Sequence, residues 1–124
     1  MDDIRKKIIL VDDIKSNLDQ GRIILDPYYQ VYPATSAAKM FKFLEKFIPD
    51  LILLDIEMPE MNGYEALKVL KADIKYNTIP VIFLTAKSGE ESQRECFDLG
   101  AADYVTKPFS TRVLLECIKK HLQD

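Results

Sequence analysis

The chain has 124 residues, 48% of them hydrophobic and 30% charged, with only 4 Gly and 6 Pro. This is the length and composition of one folded domain, which excludes a disordered or fibrous chain and needs no metal or disulfide to support a core. A formal charge of −3, from 17 basic and 20 acidic side chains, provides no overall field to gather nucleic acid or an anionic membrane, so direct nucleic-acid binding is not expected. No apolar run approaches the roughly 20 residues that span a bilayer, and membrane insertion is not expected either. Cys96 and Cys117 are too few and too far apart for a disulfide framework and are expected to be buried small hydrophobes.

Ile8 to Val11 is a short, branched apolar run that stops at Asp12 and Asp13, the pattern of a strand buried on both faces of a parallel sheet. Ile14, Leu18, Gly21 and Leu25 then recur at helical spacing, and Pro27 closes that helix. Tyr29 to Pro33 is a second strand, which its prolines push to a sheet edge. Ser36 can cap a helix with Ala37, Phe41, Leu44 and Ile48 turned inward and Pro49 at its end. Met40, Phe43 and Phe47 form a second apolar row beside that stripe, either one side of a broadly buried helix or a partner surface.

Leu51 to Leu54 is the third strand, and it too stops at an aspartate, Asp55. After Met58, Pro59 and the turn-forming Asn62 and Gly63, a helix is expected from Tyr64 to about Ala72, with Leu67 and Leu70 inward. Val81 to Leu84 is the fourth strand and ends at Thr85. Ser88 and Glu91 have the spacing of a capping box at the start of a helix that runs to about Leu99, with Gly100 suited to its end. Asp103 to Thr106 is a brief fifth strand ending at Lys107. Val113, Leu114, Cys117, Ile118 and Leu122 lie on one side of a last helix capped by Ser110.

Strands alternating with helices of this length require right-handed crossovers on both faces of a parallel sheet, a three-layer α/β fold whose strand order periodicity leaves open. The loops after the strands meet at one sheet edge and carry Asp12, Asp13, Asp55, Thr85 and Lys107. Carboxylates gathered there repel, and a hard divalent cation with oxygen ligands and retained waters, Mg2+, answers that repulsion better than one ammonium. A calcium loop is missing, and the single His121 with two separated cysteines offers no nitrogen or sulfur cluster for zinc. The matching chemistry is phosphoryl transfer: one carboxylate attacks phosphorus while metal, ammonium and hydroxyl meet the equatorial oxygens. Asp55 follows the most apolar run and is the expected nucleophile, with Asp12 and Asp13 as metal ligands.

Several segments together resemble the receiver domain of bacterial response regulators over essentially the whole chain. They are the acidic pair closing Ile8 to Asp13, the segment Leu53 to Pro59 followed by Asn62 and Gly63, the strand end Ile82 to Ala86, and Gly100 to Tyr104 before Lys107, Pro108 and Phe109. The resemblance implies a flavodoxin-like receiver fold with a five-stranded parallel sheet in the order 2-1-3-4-5 and five flanking helices. It implies a cytoplasmic phosphoacceptor that catalyses its own phosphorylation and dephosphorylation, takes its phosphoryl group on Asp55 from a histidine kinase or histidine phosphotransfer protein, and signals through the face made by helix 4, strand 5 and helix 5.

It further implies Asp13 and Asp55 as direct Mg2+ ligands, Asp12 as a water-mediated one, and the Glu57 carbonyl as another. Lys107 and Thr85 would contact the phosphoryl group, Thr85 and Tyr104 would be the switch pair, and Lys107-Pro108 would be a cis peptide. Glu57 is a departure that adds a carboxylate beside the metal, and Lys87 could answer it across the cleft, so the two are expected to tune the lifetime of the acyl phosphate. The chain ends at Asp124, directly after the last helix, so residues 1–124 are expected to form one receiver domain with no output domain present, either a stand-alone regulator or a receiver cut from a longer protein, a monomer or weak dimer acting on another protein.

Other readings fit less well. Asp55 with Glu57 faintly resembles the haloacid dehalogenase phosphatases, but these need aspartate where Glu57 stands and Thr or Val where Pro59 stands. Asp12 and Asp13 occupy the place where a dinucleotide or triphosphate binder needs a glycine-rich cradle. Taken singly, the acidic pair could be a solvated turn, Thr85 a local backbone partner, Tyr104 a half-buried strand aromatic and the whole chain an interaction module.

Overall fold

The computed structural model describes residues 4–86 and 89–122. Ten elements alternate along the chain: β1 (Lys7–Val11), α1 (Lys15–Leu25), β2 (Gln30–Ala34), α2 (Ala37–Leu44), β3 (Leu51–Asp55), α3 (Gly63–Lys71), β4 (Val81–Thr85), α4 (Glu90–Asp98), β5 (Asp103–Thr106) and α5 (Thr111–His121). All strand pairs are parallel and the sheet order is β2-β1-β3-β4-β5, as the resemblance implied.

The uniformly apolar runs are explained by burial on both faces. Every residue of β3 and β4 is buried, and alternate side chains go to opposite sides of the sheet. Ile9, Val11, Ile52, Leu54, Val81 and Phe83 pack into one core with residues of α2, α3 and α4. Ile8, Leu10, Leu51, Leu53, Ile82 and Leu84 pack into the other with α1 and α5. Three helices thus cover one face and two the other.

Several boundaries move. The second helix stops at Leu44, and Ile48, expected on its inward stripe, is exposed. Met40 is fully buried in its place, while Phe43 and Phe47 pack with the edge-strand Tyr32, ring centroids 5.6 and 4.5 Å from it. The second apolar row is therefore core and edge-strand cover. Ile14 and Val113 also sit on the exposed side, because Ile14 stands at the N-cap of α1 and Val113 in the first turn of α5, ahead of the turns that face the sheet. Cys96 is buried and Cys117 half-buried, both as free thiols.

Asn62 caps α3 through a full capping box with Glu65, at 2.9 and 3.0 Å. Gly63 follows because nothing larger fits: a Cβ there would lie 2.5 Å from the Asp55 carbonyl oxygen and 2.8 Å from Ile56 Cα. The N-cap of α4 is Gly89, which has no side chain to cap with, and Gly100, at φ 98°, follows that helix as expected. Ser88, expected in a capping box there, lies outside the described residues.

Candidate functional site

Each acidic group is delivered by a strand end. Beyond β1, the Asp12 N–H donates to the Ala34 carbonyl at 3.0 Å, fixing the turn out of the strand. Its carboxylate is 1% exposed, and Oδ1 accepts the Ile14 N–H at 3.0 Å. Asp55 is the last residue of β3, buried and paired with Leu84 of β4. Thr85, also buried, ends β4, and its carbonyl accepts the Lys107 N–H at 2.7 Å. That bond sets where Lys107 leaves β5, and the peptide between Lys107 and Pro108 is cis, as the resemblance implied. The Lys107 ammonium lies 2.8 Å from Asp12 Oδ2 and 3.1 Å from Asp55 Oδ1.

Oxygens of Asp12, Asp13 and Asp55 lie within 4.8 Å of one another. Burial, and then the charge of Asp12, raise the Asp55 pKa from 3.8 to about 6, while the Lys107 ammonium pulls it the other way. Burial works against the Lys107 charge too, but its bonds to Asp12 and Asp55 outweigh this and hold its pKa above the ordinary value. One ammonium among three carboxyl groups leaves the cluster short of positive charge. The donors are all oxygen, which fits a hard divalent cation such as Mg2+ and no softer metal. Both oxygens of Asp12 already accept hydrogen bonds inside the protein, from Ile14 and Lys107, so the exposed Asp13 and the buried Asp55 are the better placed to meet an ion.

Glu57 is exposed two residues past Asp55. Tyr104 is half-buried on β5, paired with Phe83, and its ring meets Phe97 of α4 edge-on at 6.1 Å between centroids. Lys87 lies outside the described residues. The fold therefore brings Asp12, Asp13, Asp55 and Lys107 into one cluster and ties Thr85 to it through the backbone, with Tyr104 one strand away.

Two features were missed in the sequence. One is the role of Gly63 in letting α3 approach the nucleophile's backbone, for which the Asn62 to Glu65 capping spacing was the available signal. The other corrects the expectation of no nitrogen or sulfur cluster: atoms of Asp103, Cys117 and His121 also lie within 4.8 Å of one another. The helix puts Cys117 and His121 one turn apart on one side, and β5 supplies Asp103. The His121 Nε2 is 2.9 Å from Asp103 Oδ2. Burial would raise the Asp103 pKa, but hydrogen bonds from His121, the Tyr104 N–H and Cys117 hold it below the ordinary value. Burial and the nearby Asp103 charge push the Cys117 thiol up to about 12, which makes it a poor nucleophile.

Residues 8–119 match the family model described as the response regulator receiver domain. The chain is 42% identical over 117 residues to a "Probable cyclic di-GMP phosphodiesterase" of Vibrio cholerae, covering 94% of this chain and 26% of that protein, so it spans about a quarter of that relative's length. Its fold superimposes on the Vibrio cholerae chemotaxis protein CheY4 with a TM-score of 0.89 at 28% identity, covering 95% of this chain and 99% of that one. It also superimposes on the receiver domain of sensor histidine kinase PA1611 from Pseudomonas aeruginosa, whose structure has a magnesium ion in its active site cleft, with a TM-score of 0.86 at 26% identity over 95% of this chain and 98% of that one. Strand order, the acidic cluster with its lysine and the family match agree: the chain belongs to the response regulator receiver domains, the phosphoacceptors of two-component signalling.

Proposed function

We propose that Asp55 accepts a phosphoryl group from a phosphohistidine of a histidine kinase or phosphotransfer protein, in a reaction that needs Mg2+. The observation that carries this reading is the Lys107 ammonium bridging Asp12 and Asp55 inside a cluster of three carboxyl groups. A carboxylate oxygen of Asp55 forms the new O–P bond as the P–N bond to the imidazole breaks, giving an acyl phosphate. Asp13 and Asp55, with Asp12 behind them and the Glu57 carbonyl alongside, would hold the ion, which when bound neutralises charge on the phosphoryl oxygens. Lys107 stays protonated and meets one of those oxygens, and Thr85 offers its hydroxyl to another.

The new dianion gives Thr85 and Tyr104 contacts that exist only in the phosphorylated state, which shifts the population of the face made by α4, β5 and α5. The edge contact between Tyr104 and Phe97 links β5 to α4, which supports this route. The receiver domain, matched over residues 8–119, passes the signal on as a monomer or weak dimer. Among the described residues no helix is long and apolar enough to cross a membrane.

Intact-mass analysis after incubation with acetyl phosphate tests the reading: one added phosphoryl group is expected with Mg2+ and none in EDTA. Equal uptake under both conditions would remove the metal from the reaction.

Glu57 and Lys87 would set how long the acyl phosphate lasts, by flanking the path of an in-line water. The exposed position of Glu57 on the loop after β3 supports this. An exposed pair is worth at most about fivefold in rate, so Lys87→Ala is expected to speed decay by no more than that, leaving uptake intact. Following acyl phosphate decay in Glu57→Ala, Lys87→Ala and the double variant measures the coupling, and strictly additive effects would end the idea of a paired gate.

A further inference from the structure

Asp103, Cys117 and His121 lie well away from the phosphoacceptor. Asp103 opens β5 and Lys107 follows its far end, so four residues of strand, roughly 13 Å, separate the two clusters. We propose that these three side chains form a second metal site, selective for Zn2+ over Mg2+.

The donor set is the first argument. Thiolate sulfur, imidazole nitrogen and one carboxylate oxygen are the ligands Zn2+ takes, whereas Mg2+ is held by oxygen. The geometry is the second. Donors around a tetrahedral zinc stand roughly 3.3 to 3.7 Å apart, given bonds of about 2.0 Å to nitrogen or oxygen and 2.3 Å to sulfur. His121 Nε2 and Asp103 Oδ2 stand 2.9 Å apart, and the donor atoms of all three residues lie within 4.8 Å of one another, close enough to share one ion.

Access is the third argument. His121 and Asp103 keep 20% and 19% of their side-chain surface, so an ion can enter and a water can complete a fourth position. Backbone elements fix all three ligands in place. Cys117 and His121 project from successive turns of α5, and both already hydrogen-bond the Asp103 carboxylate. Zinc would displace the thiol proton and any proton on Nε2, replacing two hydrogen bonds with metal bonds among the same atoms. Lys120 is the nearby opposing charge, 4.0 Å from Asp103 Oδ2 but 72% exposed, and it can swing into solvent.

The test is cobalt titration of the full chain with Mg2+ in excess, so that the carboxylate cluster is already filled. Co2+ is expected to give a thiolate-to-cobalt charge-transfer band that saturates at one equivalent and disappears when Zn2+ is added. Cys117→Ser, which keeps the volume and the hydrogen bond to Asp103, should lose the band. His121→Ala should bind at least tenfold more weakly, and Cys96→Ser should behave as wild type. Urea unfolding in EDTA checks that each variant folds. A missing band at one equivalent, or an undiminished band in folded Cys117→Ser, would overturn the site and leave the three residues as a hydrogen-bonded tie between α5 and β5.

Discussion

Asp55→Asn is expected to take up no phosphoryl group from any donor, and without metal to unfold at a higher urea concentration than wild type at neutral pH. The first effect is chemical, because an amide cannot form the acyl phosphate. The second follows from the raised pKa of the buried carboxyl. A folded-state pKa of about 6 against 3.8 means the native protein holds this proton more tightly than the unfolded chain. That stabilisation is fully present below about pH 4 and lost as pH rises through about 6. Ionised Asp55 therefore costs the metal-free fold on the order of 2 to 3 kcal/mol at neutral pH. The amide variant would not carry this cost, so the two proteins should differ at neutral pH and converge near pH 4. Mg2+ should narrow the gap from the wild-type side, since it binds only the folded carboxylates. Unfolding curves in EDTA and in Mg2+ at both pH values give all four comparisons, and an equal or lower midpoint for the variant at neutral pH would show that Asp55 is not strained by its neighbours.

Lys107→Ala is expected to slow phosphoryl uptake by about 10²-fold or more, the usual effect of removing one preorganised charge from a transition state of this kind. Its distinguishing mark is pH. Lys107 lies 3.1 Å from Asp55 and lowers its pKa, so without it that pKa rises further. Less of the nucleophile is then ionised at neutral pH, and part of the lost rate should return as pH increases. A pH profile of the uptake rate under Mg2+ separates the contributions: the recoverable part belongs to Asp55 ionisation, and the remainder to the missing contact with the phosphoryl group. An unchanged rate would exclude Lys107 from the reaction.

The sequence made the architecture legible because the central strands are buried on both faces and so carry unbroken apolar runs ending at Asp12, Asp55 and Thr85, while Lys107 follows the short edge strand β5. Those endings also announced the acidic cluster and its lysine. The elements were harder to read where one side is solvated. Periodicity carried the second helix on to Ile48, although the chain turns after Leu44, and it put Ile14 and Val113 inward although each stands at or near a helix start. The Asp103, Cys117 and His121 cluster was invisible for a different reason. Two of its members share a helix, but the third comes from a strand, and only tertiary packing of α5 on β5 brings it near.

The lack of room at position 63 divides this loop into parts with different freedom to vary. Any side chain there would collide with the backbone of Asp55 and Ile56, so the join between the nucleophile's strand and α3 tolerates a single amino acid. Glu57, a few residues earlier, is exposed and meets no such limit. Position 57 can therefore vary without disturbing the backbone of Asp55, and under the role proposed for Glu57 it is where the timing of the signal would change while the chemistry is kept.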